Sequence, residues 1–421
     1  MKKKMLLIII PLLLILLAVL IVLPPSFGKL PKGHILSEKT FLEIDGARIG
    51  VILLSDNTEN PVLLVCGGGP GIPEYIMESL YPSVLPEYFT VCYFDYRGTG
   101  LSFDSSTDPE GMTTDRFIDD TLKVTDYLRN RFDQDKIYIM GHSFGTFIAL
   151  NTVDRHQEKY IAYLAMSQTC DQYRSELMAY DYMRNCYEES GNSKMVAQFD
   201  EYNIQESEED YEEYFRSGLR DKAMHYLGVG TTSDMNNVIT GLFFPSLRIT
   251  AYTPGERINI WRGKAASGKF AVHNDSQQFN AFESVPGIEI PIYFFAGEND
   301  MTCCTSLQNE YYKSIEAPQK EFFPDNKDKI IVKHFPNSFL ETELDDYLKS
   351  LEVDTLIVCG MMTHMCVDTT VRAAMDYGYQ VKLVANACAT MDLEIAGEII
   401  PADIVQKTFI ASLEGVFATV I

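Results

Sequence analysis

The stretch YIMGHSFGTFIAL, residues 138–150, decides the fold class predicted for this chain. It joins an apolar, strand-like run to a helix-like run through Gly-His-Ser-Phe-Gly, which fits the pattern G-x-S-x-G. The two glycines permit a sharp turn that lifts the hydroxyl of Ser143 clear of the strand. The start of the following helix would stabilise negative charge at that point. The stretch therefore predicts a strand–turn–helix unit with Ser143 as a candidate nucleophile.

Further apolar runs of strand length lie on both sides of this unit. They alternate with stretches of helical pattern, such as residues 115–132. The clearest runs are PVLLVC at 61–66, FTVCYF at 89–94, KIYIM at 136–140 and PIYFFA at 291–296. Buried strands that alternate with helices predict an α/β fold with a mostly parallel sheet and helices on both faces. Between about residues 170 and 286 the pattern is helical and rich in Tyr, Met and Glu, which predicts an inserted cap.

A glycine-rich turn, residues 67–71, follows the first of these strands. In an acyl-transfer site, backbone N–H groups bind the negative oxygen of the tetrahedral intermediate. The N–H of Gly68 or Gly69 could do so together with that of Phe144, which follows the candidate nucleophile. These three residues form the predicted oxyanion hole.

Four motifs together carry a family resemblance: GGGPG at 67–71, DYRGTGLS at 95–102, GHSFG at 141–145 and GENDMT at 297–302. With them, residues 39–322 resemble the α/β-hydrolase family, and specifically its prolyl aminopeptidase-like branch. The resemblance implies that Ser143 is the nucleophile and Asp300 the triad acid. It also implies hydrolysis of an amide or ester bond through an acyl-enzyme, with an N-terminal prolyl peptide bond as one substrate.

Two departures from that branch leave proline specificity open. The branch usually has a histidine where this chain has Gly67, and many prolyl peptidases have Gly-Gly-Ser-Trp-Gly at the elbow. The chain order of the triad, Ser then acid then His, places the base beyond Asp300, where only His334 and His364 occur. His334 ends the strand-like run KIIVKH and is the candidate base, whereas His142 is predicted to pack at the elbow.

The stretch VCGMMTHMCVDTT, residues 358–370, belongs to a second resemblance. Residues 324–421 resemble the C-terminal half of isochorismatase-like cysteine hydrolases, a partial Rossmann-like α/β unit. The resemblance implies Cys366 as nucleophile at a helix start, Lys333 as its support, and an oxyanion site at the N–H groups of Met362 and Cys366. It also implies a cis peptide bond between Met361 and Met362.

The aspartate that this second family needs has no clear counterpart. Asp325 and Asp328 lie too close to Lys333 to end an earlier strand, and Asp95 belongs to the first pattern. Cys366 could therefore be an inert, packed thiol. Three interpretations stay open: a serine hydrolase, a cysteine hydrolase using Cys366, or a catalytically impaired fusion that only binds small ligands.

The two resemblances meet near Phe322 and Pro324. The first segment is predicted to lack the last strand and the histidine segment of its family, and the second to lack its first strands. A strand predicted at residues 329–333, or its neighbours in the chain, would then pack against the first sheet, because an uncovered apolar edge is costly. Further strands are predicted at 355–359, 381–385 and 417–421, and helices at 341–351, 369–378 and 402–413.

The N-terminus, residues 1–28, is predicted to be a membrane anchor. Residues 5–23 carry no charge, span roughly 28 Å as a helix, and follow three lysines. No small-x-small cleavage site follows, which favours an uncleaved anchor over a signal peptide. The lysines would hold the N-terminus in the cytoplasm and place the catalytic domain on the outer side.

Composition excludes some classes of partner. The net charge of −24 argues against nucleic acid, which is itself a polyanion. Nine scattered cysteines do not form a disulfide framework, and no His/Cys spacing suggests a metal site. We therefore expect no cofactor and no metal, and a small molecule or short peptide as substrate, with the membrane contacted through the N-terminal helix.

Overall fold

The computed structural model describes residues 27–230, 232, 235–325, 331–351 and 353–421. The chain forms two compact units, Met1–Asn326 and Lys327–Ile421. Each unit has its own sheet and its own hydrophobic core.

An eight-stranded sheet forms the centre of the first unit. Its strands are β1 (Leu36–Ile44), β2 (Ala47–Ser55), β3 (Val62–Cys66), β4 (Thr90–Phe94), β5 (Ile137–His142), β6 (Tyr160–Met166), β7 (Ile292–Gly297) and β8 (Lys320–Asp325). They lie in the order β1-β2-β4-β3-β5-β6-β7-β8. β2 pairs antiparallel with β1 and β4, and the remaining neighbours pair in parallel.

The central strands supply two cores, one on each face of the sheet. Leu64 packs with Phe147 on one face, whereas Leu63 and Val65 pack with Ile260 on the other. Successive side chains of a strand point to opposite faces, so a strand covered on both faces must be apolar throughout. This is why β3 reads as a continuous apolar run and is fully buried.

Helices cover both faces, and those between β6 and β7 form the cap. The helices of the first unit are α1 (Glu74–Leu80), α2 (Leu85–Tyr88), α3 (Thr114–Arg131), α4 (Phe144–Arg155), α5 (Gln172–Glu189), α6 (Ser193–Phe199), α7 (Glu208–Arg216), α8 (Leu219–Leu227), α9 (Phe244–Ser246), α10 (Pro254–Ser267), α11 (Ala271–Gln277), α12 (Ala281–Ser284) and α13 (Thr305–Ser314). The cap has its own apolar cluster, which includes Met183, Phe199 and Met224.

The last strand of the first sheet corrects one prediction. The first segment was expected to lack this strand, but β8 is present and pairs with β7, with Phe322 opposite Phe294. Its sequence, KEFFPD, carries charges and Pro324, which conceal the strand pattern. Proline is tolerated here because β8 lies at the edge of the sheet, where one row of N–H groups is not needed for pairing.

The second unit is built on a three-stranded parallel sheet with strand order β13-β10-β9. Its strands are β9 (Thr355–Met361), β10 (Gln380–Ala389) and β13 (Thr419–Val420), with a separate hairpin of β11 (Leu393–Ile395) and β12 (Glu398–Ile400). Its helices are α14 (Leu344–Ser350), α15 (Asp368–Asp376) and α16 (Ala402–Leu413). Val371, Leu383 and Leu413 belong to its core. The strand predicted at 329–333 is not found: residues 329–330 lie outside the described ranges, and 331–333 form no strand.

The predicted fold class needs a second correction, which concerns the N-terminal transmembrane helix. Within the described ranges, no helix combines the length and the apolar character needed to cross a bilayer. The predicted anchor, residues 5–23, lies outside the described residues. The architecture that the structure supports is therefore two α/β units.

Candidate active site

Ser143 occupies a strained turn between β5 and α4. Its φ of 51° and ψ of −122° are unusual for a residue with a side chain, and such strain persists only when surrounding contacts hold it. Here its N–H donates to the carbonyl of Met166 at 2.9 Å. Its carbonyl accepts from the N–H and the hydroxyl of Thr146, at 2.8 and 2.6 Å, and from the hydroxyl of Thr169 at 3.2 Å.

Close packing between α4 and β3 explains the second glycine of the motif. A Cβ atom on Gly145 would overlap the backbone carbonyl of Cys66 at the end of β3. The first turn of α4 therefore lies directly against the sheet, and this contact fixes the elbow beside the glycine-rich loop.

Asp300 follows β7 and is held by backbone groups. Its Oδ1 accepts from the N–H groups of Thr302 and Cys303, both at 2.9 Å. Burial raises the pKa of Asp300, although these N–H groups and the hydroxyl of Ser167 act in the opposite direction. The carboxylate is thus fixed in place and partly desolvated, as a group that orients a neighbouring base would be.

The sequence analysis missed the thiol beside the candidate nucleophile. Cys303 is buried and lies near Ser143, whose side chain acts to lower the pKa of the thiol. The hydroxyl of Thr169 lies 3.6 Å from the Cys303 sulfur. Burial raises the pKa of this thiol, and the nearby charge of Asp300 raises it further. Cys303 is therefore a neutral neighbour that ties the elbow to the loop carrying Asp300.

The predicted oxyanion donors differ in their partners. The N–H of Gly68 donates to Oε2 of Glu74 at 3.1 Å. In the described part of the chain, the N–H groups of Gly69 and Phe144 have no hydrogen-bond acceptor. Within the described residues both N–H groups are thus unpaired, that of Phe144 directly after Ser143 and that of Gly69 in the glycine-rich loop.

His142 forms an ion pair that the sequence analysis did not predict. Its Nδ1 lies 2.9 and 3.0 Å from the two carboxylate oxygens of Glu74. Burial disfavours both charges, but each partner's opposite charge outweighs it, so the pKa of His142 is raised and that of Glu74 lowered. The charge of Asp300 favours the protonated imidazole as well. His142 directly precedes the candidate nucleophile Ser143 in the chain.

The first unit contains no histidine after Asp300. The candidate base, His334, belongs to the second unit, where it is solvent-exposed. Its role stays a prediction from chain order.

In the second unit, Cys366 lies in a π-helical turn, Thr363–Val367, between β9 and α15. The peptide bond between Met361 and Met362 is cis, which confirms that prediction. Cys366 is partly exposed. Lys333 donates to the carbonyl of Pro336 at 2.7 Å, and within the described residues no hydrogen bond joins its ammonium group to the Cys366 thiol.

A cavity of about 550 Å³ in the first unit lies away from these groups. Its lining includes Arg48, Arg97 and Arg262, but none of the candidate site residues. The candidate site residues therefore lie outside this cavity.

Comparisons with known proteins agree with the two resemblances. Residues 83–184 match the family model of the serine aminopeptidases, S33, and residues 313–421 match that of the isochorismatase domain. The chain joins an α/β-hydrolase unit to an isochorismatase-like unit. The first match lies within the unit Met1–Asn326, and the second covers the unit Lys327–Ile421 but begins at residue 313, inside the first unit.

Relatives are found for both units. The probable aminopeptidase YbaC of Bacillus subtilis is 28% identical over 302 residues, which cover 70% of this chain and 91% of that protein. The isochorismatase family protein YddQ of Bacillus subtilis is 50% identical over 97 residues, 23% of this chain and 54% of that protein. A solved structure of proline iminopeptidase from Mycobacterium smegmatis has a TM-score of 0.44 at 14% identity, covering 69% of this chain and 91% of that one.

These matches make the protein an enzyme of the α/β-hydrolase type. The isochorismatase-like match spans about half the length of YddQ.

Proposed function

We propose that the hydrolase unit is a serine hydrolase that cleaves an amide or ester bond of a small molecule or short peptide. The observation that carries this proposal is the strained elbow at Ser143, between β5 and α4. In this proposal the N–H groups of Gly69 and Phe144, which have no acceptor among the described residues, bind the oxyanion that forms when Ser143 attacks the carbonyl carbon.

In the proposed reaction, Oγ of Ser143 attacks the substrate carbonyl carbon and loses its proton to a base. The N–H groups of Gly69 and Phe144 hold the developing oxyanion. When the intermediate collapses, the bond to the leaving group breaks, the base returns the proton to it, and an acyl-enzyme forms. Water then hydrolyses the acyl-enzyme by the same steps. Asp300 orients the base.

Chain order makes His334 the candidate base, and the variant H334Q tests that assignment. Hydrolysis is lost if His334 accepts the proton, and it is retained if another group does. The likeness to an aminopeptidase makes an N-terminal peptide bond the first substrate to test. A panel of aminoacyl p-nitroanilides and p-nitrophenyl esters tests bond type and side-chain preference together.

Loss of the nucleophile gives the direct test of the mechanism. S143A should lower turnover of any active substrate by about 10⁴-fold or more, because the covalent route is removed. The matched variant S167A removes a hydroxyl beside Asp300 without removing the nucleophile, and a much smaller loss is expected. Turnover by S143A at the wild-type rate would refute the proposal.

Cys366 offers a second candidate site. Its position after β9 and the cis bond at Met361–Met362 agree with the isochorismatase resemblance. If Cys366 is the nucleophile, iodoacetamide blocks turnover of a small amide and C366A abolishes it. If turnover depends only on Ser143, neither treatment has an effect.

A further inference from the structure

We propose that Glu74 and His142 are positioning residues that fix the spacing between the two oxyanion donors of the hydrolase unit. This inference rests on the proposed serine mechanism. One donor, the N–H of Gly69, lies in the loop after β3, and the other, that of Phe144, lies at the start of α4. The Glu74–His142 ion pair is the side-chain bridge between these two segments.

One end of the bridge holds the glycine loop. Oε2 of Glu74 accepts from the N–H of Gly68 at 3.1 Å, and Gly68 is bonded directly to the donor Gly69. The same carboxylate is the partner of His142. Displacing Glu74 would release the backbone on one side of the proposed donor.

The other end of the bridge holds the elbow. His142 is the residue before Ser143, and its Nδ1 would lie 3.4 Å from a Cβ atom on Gly68. The Ser143 Cβ would lie 3.5 Å from the same point. The imidazole, the nucleophile and the glycine loop therefore meet within contact distance.

Burial makes this ion pair a firm connection. The Glu74 side chain is 11% exposed and the His142 side chain 28% exposed. Removing one partner from a shielded pair leaves the other charge uncompensated, which is much costlier than losing an exposed pair. Replacing one partner should therefore disturb the other more than it would in an exposed ion pair.

Gly67 provides the space that the carboxylate needs. A Cβ atom there would lie 3.0 Å from Cβ of Glu74 and 3.4 Å from its Oε2. The histidine usual at this position in prolyl aminopeptidase-like proteins would compete with Glu74 for the same space. The absence of a side chain at Gly67 therefore leaves room for the Glu74 carboxylate that pairs with His142.

Loss of the Glu74–His142 ion pair is expected to slow the chemical step and not to prevent folding. An oxyanion contact strengthens in the transition state, so a displaced donor slows the chemical step while substrate binding changes little. A displacement of about 1 Å can cost about 100-fold in rate.

The test measures how fast and how completely a fluorophosphonate labels the full-length protein at Ser143. E74A should label about 10- to 100-fold more slowly than wild type, yet reach the same final stoichiometry. E74Q keeps an oxygen that accepts from Gly68, so its rate should fall between those of E74A and wild type. H142Q, which removes the other charge, should slow labelling as well.

The matched control is E78Q, one turn further along α1. Glu78 bonds to Ser83 and Tyr93 and, among the described residues, makes no hydrogen bond to the glycine loop, so the wild-type rate is expected. With an ester substrate, E74Q should lower kcat with little change in KM.

The outcomes separate this inference from the function on which it depends. If wild-type protein is not labelled at Ser143, the serine mechanism fails. If it is labelled, and E74Q and H142Q label at the wild-type rate, the positioning role fails and the mechanism stands. A lower final stoichiometry at an unchanged rate would show a purely structural role and would also overturn the inference. Should E74A not fold, E74Q and H142Q decide the result.

Discussion

Replacing Asp95 with asparagine should stabilise the hydrolase unit at pH 8 far more than at pH 5.5. Asp95 is only 5% exposed, and its Oδ2 accepts from the N–H of Leu101 at 2.7 Å. Burial raises its pKa to about 7, the Leu101 N–H acts in the opposite direction, and the charge of Glu256 raises it further. Asparagine retains an oxygen that can accept the same hydrogen bond and carries no charge.

Linkage gives the sign and the size of the effect. In the unfolded chain Asp95 ionises above about pH 4, whereas in the folded state it stays neutral up to about pH 7. The folded state binds more protons in this window, so its stability falls as the pH rises. The raised pKa of Asp95 lowers the free energy of unfolding by the equivalent of about 1.6 pKa units at pH 5.5 and of about 3 pKa units at pH 8. The difference corresponds to about 2 kcal/mol.

Urea unfolding followed by tryptophan fluorescence measures this difference. The chain has one tryptophan, Trp261, which lies in α10 of the hydrolase unit and donates to Ser246 at 3.1 Å. The advantage of D95N over wild type should grow by about 2 kcal/mol between pH 5.5 and 8. D119N, at an exposed position on α3, is the control and should show no such growth. A pH-independent difference for D95N would refute the reasoning.

Three further predictions follow from packing and charge. G145A should prevent stable folding of the hydrolase unit, because the added methyl group would overlap backbone atoms. G255A lies in a helix with open space around it and should stabilise the hydrolase unit by about 1 kcal/mol. Thermal melts of the two variants and the wild type measure both effects. R220M leaves the fully buried Glu176 without its bidentate partner and should destabilise the cap by about 3–5 kcal/mol in urea unfolding, and the added substitution E176M should recover much of that loss. C366A should leave serine-dependent ester hydrolysis unchanged, and a parallel loss of activity would contradict the assignment of that hydrolysis to the hydrolase unit.

The sequence predicted the strand–turn–helix unit that carries Ser143. The elbow at Ser143 depends on residues adjacent in the chain, so G-x-S-x-G between a strand and a helix was sufficient to locate it. β3 and β5 were predicted because a strand buried on both faces reads as an unbroken apolar run, which is also a local pattern. The cis peptide at Met361–Met362 followed from the family resemblance.

The missed features depend on contacts between distant residues or on edge positions. Glu74 and His142 are 68 residues apart, and neither fits a periodic pattern that would link them. Cys303 reaches Ser143 only because β5 and β7 end at the same edge of the sheet. β8 was missed because an edge strand tolerates the charges and the proline that a central strand excludes.

The most direct test of the central claim is peptide mapping after fluorophosphonate labelling of the intact protein. The serine mechanism predicts a single adduct on the peptide that contains Ser143, and its absence from S143A. An adduct that persists in S143A, or wild-type protein that hydrolyses substrate but accepts no label, would contradict it.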